Sequence, residues 1–285
     1  VSARYLLESE EYQAERVVDK YLENLSVDNL QLVDEIEEFL MIYDLTDKKR
    51  SIYEKIGDLY KEIKDYYKSY TYYIKAFESI RKDNIDDMAA MLILKLSNCC
   101  KLNYKYKEAL EFCKLPLKNE AFISMDIKLE LLLNKAEILM LLKEYDSSLD
   151  EIESIEEFNE ELSEEYLFTL NMLKGQCYRE NKYYRDALEV YKSLKEGDGA
   201  LDKSKILCIN INIIGIYILL RDNRNIRKHI DESLVLISSN RQLYKEKRGA
   251  EIFSGLAKGF KFISEDERAA EYYNHAIYSA KRNKQ

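Results

Sequence analysis

Asparagine side chains recur within several predicted helices, and their chemistry is the first indication of a binding role. They are Asn98, Asn134, Asn171, Asn210 and Asn212. Asparagine is a middling helix former, so its repeated use inside helices calls for a reason other than helix propensity. Its amide both donates and accepts hydrogen bonds, which allows it to hold the backbone of an extended peptide. The pattern favours a peptide-binding surface made of helices.

Residue types that serve catalysis or metal binding form no recognisable motif. The two histidines, His229 and His275, lack the spacing of a helical metal site. The cysteines are odd in number and contain no CxxC, which is typical of reduced thiols in a core: Cys99, Cys100, Cys113, Cys177 and Cys208. Adjacent carboxylates such as Glu156 and Glu157 are typical of solvated helix faces. We expect no enzyme activity, no metal and no cofactor.

The composition favours an all-α fold. The 285 residues are 46% hydrophobic and 34% charged, which allows a substantial core. One proline and eight glycines are too few for many short strands and favour long helices. The net charge of -9 gives no general attraction to nucleic acid or to anionic membranes. The most apolar run, from Ile206 to Leu220, is shorter than a membrane span of about 20 residues and predicts a buried helix.

One pattern of small and aromatic residues recurs along the chain. The stretch "GQCYRENKYYRDALEVY" begins at Gly175, and stretches that begin at Ser51 and Phe253 repeat its internal offsets. Weaker copies begin at Leu94 and Asn134, and a copy near residue 210 is too degenerate to fix its register. The small residue of the second helix falls at positions 69, 109, 148 and 187, a nearly constant step of roughly 40 residues.

This pattern resembles the tetratricopeptide repeat, in which two antiparallel helices approach closely at small residues and aromatic side chains fill the space between them. A single helix pair cannot bury its apolar face, so the pairs must stack. The resemblance implies an all-α fold: a right-handed superhelix of about six degenerate helix pairs with a period of roughly 40 residues. It also implies that the first helix of each pair lines a concave groove.

The resemblance assigns groove positions by register. Position nine of one repeat and position six of the next face the groove in this fold, and Asn98 and Asn134 stand at those positions. The remaining groove residues that we predict are Lys101, Asn171, Met172, Gln176, Arg179, Asn210, Asn212, Lys258 and Lys261. Leu94, Thr169 and Leu173 stand where the chaperone-tail clamp of this fold has basic residues. A clamp of that type for a C-terminal carboxylate is therefore not expected.

The first residues point to a more specific family. The opening "VSARYLLE" resembles the end of a Cro-type helix-turn-helix domain. Together with the long, degenerate repeats, it resembles the cytoplasmic peptide-pheromone receptors of low-GC Gram-positive bacteria, the group that includes Rap, Rgg, NprR, PlcR and PrgX. The resemblance implies a cytoplasmic sensor that forms homodimers and contacts DNA only through an N-terminal domain outside this sequence.

These observations lead to one hypothesis and two alternatives. The leading hypothesis is that residues 46–285 bind a short signalling peptide for a transcriptional regulator, with residues 1–45 forming N-terminal helices before the repeats. One alternative is an interaction scaffold that docks a folded protein partner or assembles with itself. It would use the convex face or the acidic run from Asp150 to Glu165, which has nine acids and no base. The other is inhibition of a response regulator, as in the Rap branch, which requires an N-terminal helical bundle.

Overall fold

A computed structural model describes residues 3–43, 45–80, 85–118, 123–158, 162–197, 201–240, 242–246 and 248–282. The side chains of 3–11, 46, 47 and 244 are not described. Val1 and Ser2 of the N-terminal motif, and Glu160 and Glu161 of the acidic run, fall outside these ranges.

The described residues contain fourteen α-helices and no strand, which confirms the all-α prediction. The helices are α1 (Ala3–Asn24), α2 (Leu32–Ile42), α3 (Thr46–Glu62), α4 (Tyr66–Glu78), α5 (Asp87–Leu102), α6 (Tyr106–Leu117), α7 (Met125–Leu141), α8 (Tyr145–Glu156), α9 (Glu164–Glu180), α10 (Tyr184–Glu196), α11 (Lys203–Leu220), α12 (Asn223–Ser238), α13 (Gly249–Phe262) and α14 (Asp266–Arg282). Six repeats run from α3/α4 to α13/α14, after the pair α1 and α2.

The chain forms two compact units, residues 1–155 and 156–285. Unit 1 has two hydrophobic cores, one around Ile36 and Ile56 and one around Leu92 and Leu96. The first of these cores contains residues of α1 and α2 as well as of repeat one, so the N-terminal helices pack directly on that repeat. Unit 2 has one core, which is centred on α11 and α13. The division falls inside the repeat array, where the sequence did not predict one.

The turn inside each repeat has the same backbone geometry throughout the chain. One residue per turn has a positive φ: Lys64, Tyr104, Lys143, Lys182, Arg221 and Ser264. The next residue donates its N–H to the carbonyl five residues earlier, as Asp65 does to Tyr60 and Tyr183 does to Tyr178. This bond closes the first helix with a Schellman motif and turns the chain into the second helix. In each of the six repeats, the motif stands directly before the second helix.

Small residues allow the helices of a repeat to touch. A Cβ on Gly175 would lie 2.5 Å from Cζ of Tyr191, which is fully buried. A Cβ on Gly57 would lie 2.6 Å from Cδ1 of Tyr73 in the same way. In both repeats the aromatic ring occupies the volume that a larger side chain would need. The spacing of glycine and tyrosine in the sequence is therefore a packing requirement.

The structure fixes the register of the degenerate fifth repeat. Its turn residue is Arg221, so Ile226 and Ile214 take the positions that small residues hold in other repeats. Both isoleucines are fully buried. Helix α11 is long and apolar enough to cross a membrane, but more than half of it is buried in the protein. The prediction of a buried helix here is confirmed.

Candidate functional site

The first helices of repeats four to six enclose a cavity of about 220 Å³ within unit 2. Arg179 on α9 and Lys258 on α13 line it, together with Asn212 on α11. Glu251 at the start of α13 is the carboxylate among the lining residues. The other lining residues are Ile211, Gly215, Ile218, Ser254 and Gly255. Three of the predicted groove residues thus share one concave site.

Arg179 is held in place by hydrogen bonds on two sides. Its Nη1 donates to Oδ1 of Asn212 at 3.0 Å, which links α9 to α11. Its Nε and Nη2 donate to Oε1 of Glu180 at 3.0 and 2.8 Å. Asn212 is 7% exposed, and its Nδ2 donates to the carbonyl of Cys208 at 2.9 Å. A guanidinium has five N–H groups, so this arrangement leaves two of them for another acceptor.

Gly215 leaves space beside the guanidinium, and Gly255 allows Ile211 to pack closely on α13. A Cβ on Gly215 would lie 3.9 Å from Nη1 of Arg179, which is an ordinary van der Waals distance. Gly255, on the facing helix, packs against the side chain of Ile211. Any longer side chain at position 215 would extend beside the guanidinium. The cavity therefore exists because α11 carries no side chain at this position.

Unit 1 contains an equivalent cation and asparagine pair. Nζ of Lys101 on α5 donates to Oδ1 of Asn134 on α7 at 2.9 Å. The same Nζ donates to Oε2 of Glu137 at 2.5 Å. Asn134 is 6% exposed, and its Nδ2 donates to Oγ of Ser97 at 3.2 Å. The asparagine amide is therefore used on both sides within the protein.

Asn210 does not lie on an accessible face, and we exclude it from the groove. It is fully buried. Its Oδ1 accepts from Nζ of Lys195 at 3.1 Å, and its Nδ2 donates to Oγ of Ser233 at 3.1 Å. The neighbouring asparagine, Asn212, is rotated by about 200° around the helix and lines the cavity instead. These two asparagines are close in sequence, but one bonds inside the core and the other lines the cavity.

Asn171 lies in a different part of unit 2 from the Arg179 cavity. It lines a separate cavity of about 360 Å³ with Phe168 and Lys205, and its Nδ2 donates to the carbonyl of Leu167 on its own helix. Met172 is half-buried and packs against the core of the unit.

The remaining predicted residues lie on first helices without joining the cavity. Gln176 is half-buried on α9, and Asn98 is half-buried on α5 of unit 1. Lys261 is exposed on α13, and its Nζ donates to Oδ1 of Asp266 at 2.9 Å.

The five cysteines and His229 are buried and lie outside this cavity. All five cysteines are buried, and burial raises the pKa of Cys100 to about 12 and that of Cys208 to about 11. Burial also lowers the pKa of His229, which stacks on Tyr217. Within the described ranges no three His, Cys, Asp or Glu side chains group in a way that could hold a metal ion.

Several residues that line the cavity carry no recognisable signal in the sequence pattern. Gly215, Gly255 and Glu251 were not predicted as site residues, although all three line it. Counting from the turn residue Arg221 would have placed Gly215 at the same repeat position as Glu137 and Asn98. That register was hidden because isoleucines replace the small residues of the fifth repeat.

No protein-family model matches the chain, and no curated protein matches it. Several solved structures are similar to the chain. The apo form of RapI has a TM-score of 0.63 and 15% identity, covering 96% of this chain and 98% of that one. A tetratricopeptide repeat protein from Parabacteroides merdae has a TM-score of 0.65 and 13% identity, covering 95% and 92%. NprR in complex with its cognate peptide NprX has a TM-score of 0.60 and 19% identity, covering 93% and 78%.

These likenesses extend over nearly the whole of this chain, including its six helix pairs. At these identities they establish the fold and leave the ligand open. The chain has the all-α tetratricopeptide-type repeat fold that Rap and NprR proteins also have.

Proposed function

We propose that this chain is a peptide sensor and that unit 2 holds its binding site. The observation that carries the proposal is the cavity on the first helices of repeats four to six, where Arg179, Asn212 and Lys258 converge. Convergent polar groups around a concave, partly apolar site are typical of ligand recognition. The fold shared with NprR, which was solved with its cognate peptide, supports the same assignment.

A volume of about 220 Å³ is too small for a whole peptide and suits one or two side chains. The site therefore acts as an anchor for one part of a longer extended ligand. Apolar contacts to Ile211 and Ile218 accommodate the aliphatic part of the bound group, while Arg179 and Lys258 select its polar end. Anchors of this kind supply most of the binding energy of an interface.

Affinity selection with a random heptapeptide library tests this function. The full chain is mixed with the library, the bound fraction is isolated by size exclusion, and retained peptides are identified by mass spectrometry. Gly215→Leu fills the cavity and is expected to abolish retention. Val235→Leu, on the exposed face of the second helix α12 of the same unit, is the matched control and is expected to retain the same peptides. Equal retention by wild type and Gly215→Leu would refute the proposal.

We further propose that the sensor belongs to a cytoplasmic transcriptional regulator that dimerises and binds DNA through a separate N-terminal domain. The resemblance of the first residues to the end of a helix-turn-helix domain supports this context. Peptide binding would then shift an equilibrium between two arrangements of the dimer, which requires different affinities for the two. Sedimentation of the chain with and without a retained peptide tests whether the ligand changes its oligomeric state.

A further inference from the structure

The two units have comparable residues at two of three equivalent repeat positions. At the third position unit 1 has a carboxylate and unit 2 has none. Lys101, Asn134 and Glu137 of unit 1 correspond to Arg179, Asn212 and Gly215 of unit 2, and the members of each pair are two repeats apart in the sequence. In both units the cation donates to the asparagine Oδ1, at 2.9 Å in unit 1 and 3.0 Å in unit 2. The cation and the amide are therefore equivalent in structure as well as in register.

The third position, Glu137 in unit 1 and Gly215 in unit 2, lies on the first helix of the following repeat. The residue there decides whether that helix supplies a carboxylate to the cation. In unit 1 the carboxylate of Glu137 accepts a hydrogen bond from Lys101 at 2.5 Å. In unit 2 the same position is Gly215, and a cavity stands beside the guanidinium instead. The first repeat of unit 1 also neutralises a neighbouring cation internally, since Lys95 pairs with Glu54 and Asp58.

The cations of the unit 2 cavity keep hydrogen-bond donors that the described residues do not use. Arg179 keeps Glu180 as a partner on its exposed side, and two of its N–H groups have no acceptor there. Within the described part of the chain Lys258 forms no ion pair, and it is exposed. Glu251 lies seven residues before Lys258 on α13, which is about 10 Å along the helix. The carboxylate on this wall is thus too far from Lys258 to neutralise it.

We infer that the cavity binds a carboxylate of the ligand, which takes the place that Glu137 occupies in unit 1. This inference rests on the proposed peptide-sensing function and adds the chemistry of the anchored group. Arg179 and Lys258 contact the carboxylate. Asn212 is a positioning residue that holds the guanidinium across the two helices. Glu251 disfavours a second negative charge at the other end of the cavity.

The test compares three heptapeptide libraries on the wild-type chain. One has a free C-terminal carboxylate and no acidic side chain, one has an amidated C terminus and a single Asp at each position in turn, and one is amidated and wholly neutral. We expect retention from the first or second library, which distinguishes a terminal carboxylate from a side-chain carboxylate. For the best peptide, replacing its carboxylate by an amide should weaken binding about 10- to 100-fold, the usual range for a charged hydrogen-bonded group.

Variants at one position then separate charge from size. Gly215→Glu supplies the internal carboxylate of unit 1 and should weaken the best peptide at least about 10-fold more than Gly215→Gln does. Arg179→Gln should weaken it by a similar factor, and Arg179→Lys should restore part of the loss. Glu251→Gln should strengthen binding about 3-fold by removing a repulsive charge. Thermal unfolding of each variant confirms that it is folded.

Two results would overturn the inference in different ways. Equal retention of the neutral library, with loss in Gly215→Leu, would leave a peptide site but refute carboxylate recognition. No retention from any library beyond that of Gly215→Leu would refute the peptide site itself. The comparison of peptide analogues uses only the wild-type chain, so it decides the question even where a variant does not fold.

Discussion

Units 1 and 2 place the same polar pair in opposite surroundings. The amide of Asn134 and the ammonium of Lys101 are both satisfied within unit 1, the ammonium by Glu137. Arg179 and Asn212 form the same bond in unit 2, but a cavity replaces the carboxylate. The first arrangement stabilises the stacking of two repeats, while the second leaves two N–H groups of the guanidinium without an acceptor among the described residues, beside a cavity. At this repeat position a glutamate fills the space next to the cation in unit 1, and a glycine leaves it open in unit 2.

Repeats two and four also differ in how their helices pack, whereas repeat one of unit 1 has the same glycine and tyrosine pair as repeat four. Ser97 and Cys113 of repeat two correspond to Gly175 and Tyr191 of repeat four, again two repeats apart in the sequence. Oγ of Ser97 donates to the carbonyl of Ala109 and contacts Sγ of Cys113 at 3.0 Å. In repeat four the tyrosine ring takes all of this volume. The small residue and its partner have to change together, because the combined volume is fixed.

The largest effect is expected from breaking the Gly175 and Tyr191 pair. Tyr191→Cys leaves a cavity in the unit 2 core and should lower the free energy of unfolding by about 3 kcal/mol. Gly175→Ser places a side chain against the ring and should cost about 2 kcal/mol. The double variant restores the pairing of repeat two. Its loss of unfolding free energy should therefore be smaller than the sum of the two single-variant losses by about 1 kcal/mol or more. Urea unfolding of the four proteins measures this coupling, and additive losses would contradict it.

A second prediction exchanges the residue that distinguishes the two cation sites. Glu137→Gly removes the partner of Lys101 and adds a glycine to a helix, which should destabilise the protein by about 1.5 kcal/mol. Gly215→Ala should stabilise it by about 0.5 kcal/mol, because its Cβ meets only ordinary contacts. Changes of opposite sign in the melting temperature are expected. Destabilisation by Gly215→Ala would mean that the helix at this position does not tolerate a side chain.

Acid should affect unit 2 through His229. Burial beside Tyr217 lowers the pKa of this histidine, while nearby Glu232 opposes that shift and Lys195 and Lys228 add to it. The unfolded chain, with an ordinary histidine pKa near 6.5, therefore takes up the proton first. Stability should fall as the pH drops below about 6.5 and should be insensitive to His229 above that value.

His229→Phe keeps a ring against Tyr217 and removes the titration. We expect a flatter dependence of the unfolding free energy on pH between 7 and 5.5 in this variant, measured by urea unfolding at each pH. Burial raises the pKa of Glu232, but the hydrogen bond from Lys195 and the nearby positive charges outweigh it and lower the pKa overall, so its protonation contributes at more acidic pH. An unchanged slope in His229→Phe would assign the acid sensitivity to such carboxylates instead.

The smallest effect concerns a feature that the units share. Lys143 in unit 1 and Lys182 in unit 2 have φ values of 66° and 68° in equivalent turns. Glycine adopts this conformation without steric cost, but it is also more flexible in the unfolded chain. Lys143→Gly and Lys182→Gly should each stabilise the protein by about 0.5 kcal/mol, measured as a rise in melting temperature. Lys192→Gly, inside helix α10, is the control and should be destabilising.

Sequence alone predicts the helix pairs well because their constraints are local. Gly175 and Tyr191 must keep a fixed spacing, since the pair packs within one repeat. The asparagines predict the site less well, because an amide in a helix can form hydrogen bonds inside the core or lie on an accessible face. Asn210 and Asn212 are close neighbours in sequence and show both outcomes. Their contacts depend on the side of α11 from which each side chain projects. That side could not be predicted, because the sequence did not define the register of repeat five.

The amino-acid sequence by itself determined the all-α class, the regular repeat period and the first-helix location of the polar groups, since these follow from composition and from contacts within a repeat. The tertiary structure decided which of those groups meet. Arg179, Asn212 and Lys258 come from three helices, and the space beside the guanidinium depends on Gly215, which has no side chain to fill it. A cavity is a property of what neighbouring helices leave unfilled, so no single segment of sequence can specify it.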